Sequence, residues 1–220
     1  MLDVSLHRGE EEPLSVELAL NTIPEAKSSQ TGESVEYVPD PNKQWYVLRS
    51  MYGRAQKGAD MLIDKGIYVY IAKQYVRRFI KGKMKRTLKP LIPNIIFSYS
   101  TEDEMDRCMK DLIVSEFVNY YYDHCQKKQD GKNPPLTVKE DEMYTFIKLT
   151  STLNEHMKFV EAERCHYKMG DRVRVIDGPF QGIEGRVARV AGQQRVVITL
   201  SNFGLISTAY VPSAFLFKLL

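Results

Sequence analysis

Cysteine is scarce in this chain: Cys108, Cys125 and Cys165 are the only three among 220 residues, and no two of them stand in a CxxC spacing. An odd, scattered set supports neither a disulfide framework nor a thiolate metal site, and reads as three reduced thiols. No apolar run approaches the roughly 20 residues that cross a bilayer, and the first residues lack the basic start and apolar core of a secretion signal. A soluble, cytoplasmic protein with no membrane partner is therefore expected. Catalytic constellations are missing as well. His124 beside Cys125 and Cys165 beside His166 are sequence neighbours, which in a strand point to opposite faces. No G-x-x-x-x-G-K-[ST] phosphate loop occurs. No catalytic residue, metal or cofactor is expected.

Aromatic residues are absent before Tyr37, and acids cluster at Glu10, Glu11 and Glu12. Such a segment cannot bury enough apolar area to offset chain entropy, so residues 1–43 read as an acidic, disordered tail. The net charge of +3 conceals strong segregation. Residues 1–43 carry 3 basic and 9 acidic groups, residues 44–100 carry 12 and 2, residues 101–165 carry 9 and 14, and residues 166–220 carry 7 and 3. The second of these segments is the polyanion-seeking part of the chain.

Order is expected to begin at Trp45, where Trp45 to Leu48 suit a buried strand. Ala55, Ala59, Leu62 and Ile63 then share one helical face, with Gly66 as the stop. Ile67, Val69 and Ile71 alternate with tyrosines as a strand that runs toward Phe79 and returns after a Lys81-Gly82-Lys83 tip. Pro90 and Pro93 interrupt pairing before Ile95, Ile96 and Phe97 resume a strand. Thr101 with Glu104 reads as a capping box, opening a helix with Met105, Met109 and Leu112 on one face. Val118, Tyr120 and Tyr122 alternate as a further strand. Thr137 with Glu140 reads as another capping box, before a helix whose face is Met143, Phe146 and Ile147. The pattern is an α+β sheet with its helices on one side. Residues 151–167 read as a linker. Beyond them Val173 and Val175, Val187, Val196 and Ile198, Leu205 to Val211, and Phe215 to Phe217 make about five short strands of a small barrel.

Two stretches resemble the NusG family of transcription elongation factors. WYVLRSMYGRAQKGADMLIDKGIYVY with RRFIKGKMKRTLKPLIPNIIF, within residues 45–97, resembles the family's N-terminal domain, and PLIPNIIF looks like its P-L-F-P-x-Y-hydrophobic-F signature. GDRVRVIDGPFQGIEGRV, residues 170–187, looks like a KOW motif, in which Gly178 and Gly182 permit turns, Pro179 fixes φ and Phe180 anchors the loop. The resemblance implies an antiparallel NusG-like α+β domain over residues 44–150 and an SH3-like KOW β-barrel over residues 168–220. The acidic extension and the NPPLTV insertion do not look like those of a minimal housekeeping NusG, and the tract WYVLRSMYGRAQ resembles specialised paralogues such as RfaH and, more closely, the UpxY-type antiterminators associated with capsular polysaccharide operons. A factor that joins polymerase at particular operons and suppresses termination is the implied function. A housekeeping elongation factor and a ribosome-associated KOW RNA-binding protein remain alternatives.

On positions that match the family, Ile92, Pro93, Ile95 and Phe97 would form an apolar depression for the clamp helices of the polymerase's largest subunit, although the same residues also read as ordinary core. Ile95 replaces the aromatic residue usual there. Arg77, Arg78, Lys81, Lys83, Lys85 and Arg86 put six cations in ten positions around the hairpin tip, a field for phosphates of upstream DNA or else a solvated charged hairpin. Tyr52, Arg54 and Lys57 are candidates for contacting non-template DNA bases. Met51 and Met61 stand where RfaH-like proteins have polar readers. The KOW barrel would recruit ribosomal protein S10 or Rho. Its valines, Val173, Val175, Val187, Val196 and Val197, favour strands over the helical alternative fold of RfaH.

Overall fold

A computed structural model describes residues 38–161, 169–190 and 192–219. Most of the expected acidic tail, residues 1–37, lies outside the described residues.

The central strand β1 (Gln44–Ser50) carries Trp45, Tyr46, Val47 and Leu48, all buried. Successive side chains point to opposite faces, so this strand has no polar side and both of its faces must be covered. It pairs antiparallel with β5 (Ile95–Ser100) and, on its other edge, with β6 (Val118–Tyr120) and the short β7 (Thr137–Val138). Strand β2 (Tyr68–Tyr70) extends the sheet beyond β5, giving the order β2-β5-β1-β6.

On one face Tyr46, Leu48 and Ile96 pack with three helices: α1 (Ala55–Ile63), α2 (Glu102–Lys110) and α3 (Leu112–Phe117). The opposite face presents Trp45, Val47, Phe97 and Tyr99, and is covered by α4 (Glu140–Thr150) through Met143, Phe146 and Ile147. The expectation that all helices lie on one side is therefore corrected: an unbroken apolar quartet in β1 leaves two faces to bury. Tyr70 belongs to this second face, its hydroxyl bonded to that of Thr150 at the end of α4, and burial pushes its phenol up to about 12.

The C-terminal part is all-β. Strands β8 (Lys158–Glu161), β9 (Met169–Val175), β10 (Glu184–Val190), β11 (Gln193–Leu200), β12 (Gly204–Tyr210) and β13 (Leu216–Lys218) pair antiparallel in the order β13-β9-β10-β11-β12-β8. Strand β8 falls in the segment read as a linker; Leu205 pairs with Val160, which makes it an edge of the second sheet. Residues 162–168 of that segment lie outside the described residues.

The two sheets share one apolar core. Phe203, in the β11–β12 turn, reaches the N-terminal sheet, with its ring 5.9 Å from Phe97 and 5.4 Å from Tyr121, and stacks within its own sheet 5.0 Å from Phe159 of β8. Two polar clips flank it. Glu142 on α4 accepts from the Ser201 backbone N–H at 2.6 Å and from its hydroxyl at 2.7 Å. The Asn202 amide donates to Asp123 at 2.8 Å.

Three local readings change. The strand expected to run from Ile67 to Phe79 is two strands: after β2 the chain leaves the sheet at Ile71 and Ala72, whose carbonyl accepts from Leu91 N–H at 2.8 Å. Thr137 does not cap α4; pairing opposite Tyr46 holds it extended in β7, and the cap position falls to Lys139 without a side-chain bond. Helix α2 stops at Lys110, because Asp111 adopts an extended ψ of 118° and caps α3, so Leu112 turns outward at 85% exposure rather than joining Met105.

The Thr101 capping box has both of its bonds. Backbone N–H of Thr101 and the Ser100 hydroxyl donate to Glu104, which holds its carboxyl below the ordinary value of 4.5. A depressed folded-state value stabilises the fold above the ordinary carboxylate range, and this contribution is lost as pH falls through the lowered value. Glu104→Gln, which keeps the capping geometry and removes the charge, is expected to cost about 0.3–1 kcal/mol at neutral pH, with the gap to the parent protein closing on acidification, as thermal melts across the acid range would measure. Gly58 makes a second test. A Cβ there would lie 2.4 Å from the Val118 Cγ2 atom. Gly58→Ala should therefore destabilise by about 1–3 kcal/mol in chemical denaturation, the reverse of its sign in an exposed helix.

Candidate nucleic-acid interface

Strands β3 (Lys73–Ile80) and β4 (Lys83–Pro90) form a two-stranded sheet of their own. Lys81 at φ 49° and Gly82 at φ 76° turn the chain, the doubly left-handed pattern of a type I′ hairpin. The segment from Lys73 to Pro90 holds eight Lys or Arg and no Asp or Glu. Register sets Arg77 opposite Arg86 and Arg78 opposite Lys85, two adjacent like-charge pairs of the kind that weaken a ribbon.

An isolated hairpin is marginal in water, so this one needs anchors. Tyr75 N–H donates to the Leu153 carbonyl at 3.4 Å. The Arg77 guanidinium makes two bonds to Glu155, at 2.8 and 3.1 Å. Arg86 stacks over the Tyr75 ring at 3.9 Å. These contacts hold the base and middle of the hairpin. Beyond them, no described carboxylate forms an ion pair with Arg78, Lys81, Lys83 or Lys85.

The second group of candidates lies at the start of α1. Tyr52 is 83% exposed and held at φ 56°, followed by Gly53 at φ 69°. Arg54 and Lys57 both project over the buried Phe117 ring, with the Arg54 guanidinium 5.5 Å and the Lys57 ammonium 4.1 Å from its centroid. Arg54 also lies 6.0 Å from the Tyr52 ring. The Lys73 ammonium, at the foot of the hairpin, is 3.5 Å from Gln56 Oε1 on α1, so the two basic groups adjoin. Phe117, which orients both cations of α1, was not singled out in the sequence; its spacing from them gives no signal, since it arrives on α3 through the fold.

The proposed polymerase-contact residues lie mostly in the interior. Of Ile92, Pro93, Ile95 and Phe97, only Pro93 is exposed; the other three are buried. Phe97 packs between Phe146 of α4, at 5.1 Å, and Phe203 of the second sheet. The open depression read from the sequence is thus an interior surface here, because α4 and the β11–β12 turn occupy that face of the sheet.

The turn between β9 and β10 contains Gly178, Pro179, Phe180 and Gly182. Gly178 at φ 83° and Gly182 at φ 80° adopt the left-handed geometry, while Phe180 is buried. A Cβ on Gly182 would lie 2.6 Å from the Lys148 ammonium, so this turn lies against α4.

Residues 43–147 match the family model NusG, described as transcription termination factor nusG. Over this segment the chain is similar to a NusG-family domain. The segment takes in β1 through most of α4, and so includes the basic hairpin and the α1 patch. By that description the family is one of transcription termination factors. Comparison with curated proteins finds no match. Among the described residues no helix is long and apolar enough to cross a membrane, and no group of three or more His, Cys, Asp or Glu could hold a metal ion.

The contact between the NusG-like segment and the second sheet is open to direct test. Phe203→Ala removes a buried aromatic and should destabilise by about 3–5 kcal/mol, with faster proteolysis in residues 151–157 than in the parent protein.

Proposed function

We propose that the protein joins RNA polymerase during elongation at particular operons, such as capsular polysaccharide loci, and suppresses pausing or termination there. The observation that carries this reading is the acid-free hairpin on a NusG-like domain: a cationic ribbon whose outer residues Arg78, Lys81, Lys83 and Lys85 have no described ion-pair partner has phosphate as its natural counterpart. Its residues Arg77, Arg78, Lys81, Lys83, Lys85 and Arg86 would grip upstream DNA. Tyr52, Arg54 and Lys57 would meet bases of the exposed non-template strand, with Tyr52 offering a ring face and the cations offering donors.

Ile92, Pro93, Ile95 and Phe97 would dock on the clamp helices. Since Phe203 covers Phe97, docking at that face requires the second sheet to lift, and a weakened Phe203 contact should then strengthen polymerase binding. The second sheet reads as a KOW barrel, supported by the left-handed glycines flanking a buried Phe180, with ribosomal protein S10 or Rho as its partner. Work on polymerase places the protein in the cytoplasm.

Co-purification of the tagged protein from its own cells, followed by sequencing of nascent transcripts with and without it, tests the proposal. Polymerase recovered with an effect on one long operon is the expected result. Effects on most operons would indicate a general elongation factor, and ribosomes recovered without polymerase would indicate an RNA-binding role instead. Charge reversal at Lys83 and Arg86 should weaken affinity for transcription complexes and reduce the slope of log affinity against log salt by about 2, one for each lost phosphate contact.

A further inference from the structure

The end of the hairpin is not purely basic. Phe79 and Met84 stand directly opposite each other on β3 and β4, one residue from the turn, and are 72% and 63% exposed. Two large apolar side chains side by side in water, two residues beyond the anchoring Arg77 and Arg86, contribute nothing to the core. They point to something that lies against them.

The charges around them identify its chemistry. Alternation along the strands puts Arg77 and Arg86 on the same face as Phe79 and Met84, and Arg78, Lys83 and Lys85 on the other, while Lys81 sits in the turn. Cations therefore surround the apolar pair on both faces of the ribbon. A protein partner would bury one face, and lysine is depleted from the cores of such interfaces. A closed duplex would engage the cations through its phosphates but keeps its base faces stacked away from Phe79. A strand with unpaired bases offers both features together: phosphates for the cations and π-faces for an aromatic ring.

We propose that Phe79 and Met84 form a stacking wedge for unpaired bases, so that the hairpin prefers single-stranded nucleic acid, or the fork where a duplex opens, to closed duplex. This rests on the reading of the basic hairpin as a nucleic-acid contact, and assigns its tip to bases and its flanks to phosphates. Phe79 presents the ring, and Met84 supplies a polarisable second wall beside it.

The test uses the full chain and fluorescence anisotropy with four probes: an oligothymidylate, an oligouridylate, a closed DNA duplex of the same length, and a forked duplex carrying 2-aminopurine at the first unpaired position. The double substitution Phe79→Ala, Met84→Ala, at two exposed positions, is expected to weaken the single-strand and fork complexes about tenfold, the loss of one stacked base, and to leave duplex affinity and the salt slope unchanged. Quenching of 2-aminopurine by the parent protein should vanish in the variant. The ratio of the two single-strand affinities identifies the source of the strand as DNA or RNA. Equal weakening on the closed duplex would mean insertion between paired bases and would overturn the proposal, as would unchanged affinity for all four probes. So would intact oligonucleotide binding with lost polymerase co-purification, which would make the tip a protein contact. Arg78→Glu with Lys85→Glu separates the two levels: it should weaken all four complexes, and failure to weaken any of them would sink the nucleic-acid reading of the hairpin itself.

Discussion

The structure depends on the absence of a polar face in β1. Trp45 and Val47 point one way, Tyr46 and Leu48 the other, and all four are buried. Burying large apolar side chains is worth about 1.5–3 kcal/mol each, so neither side of this strand can be left to water. Helices α1 to α3 cover one side, where Gly58 lets α1 sit close against Val118 and Ile96. A single helix, α4, covers the other only in part. Phe203 fills part of what remains, which is why the two larger sheets share the core on this side of β1.

This arrangement separates two kinds of surface. The apolar face that carries Ile92, Ile95 and Phe97 is occupied from within the molecule. The hairpin is the reverse, with no third strand beside it and no described acid among its outer cations. Its own like-charge pairs oppose its formation, and it is held through Leu153, Glu155 and the stacking of Arg86 on Tyr75. Glu155 and Leu153 belong to the segment that joins the two sheets, so the position of the second sheet and the support of the hairpin are mechanically linked.

Much of the local structure was legible. The Thr101 box, the Lys81-Gly82 turn and the apolar face of α4 each follow from short-range rules: hydroxyl and carboxylate reach, tolerance of positive φ, and helical spacing. The misreadings share one origin. Thr137 and Glu140 have the spacing of a capping box, yet Thr137 is recruited into pairing with β1 from far along the chain. Leu112 has the spacing of a buried helical position, yet Asp111 starts a new helix under it. In both cases a local pattern admits two outcomes and a neighbour chooses.

For the candidate site, the sequence by itself determined the charge of the hairpin, its turn, and the likeness of residues 43–147 to the NusG family, because these depend on residue identity and short spacing alone. Tertiary structure alone decided that Phe117 underlies Arg54 and Lys57, that Phe79 and Met84 face solvent together, and that Phe97 is covered by Phe203. An apolar residue carries the same free energy of transfer whether it ends in a core or at a docking surface. Which of the two it becomes depends on what the rest of the chain brings over it.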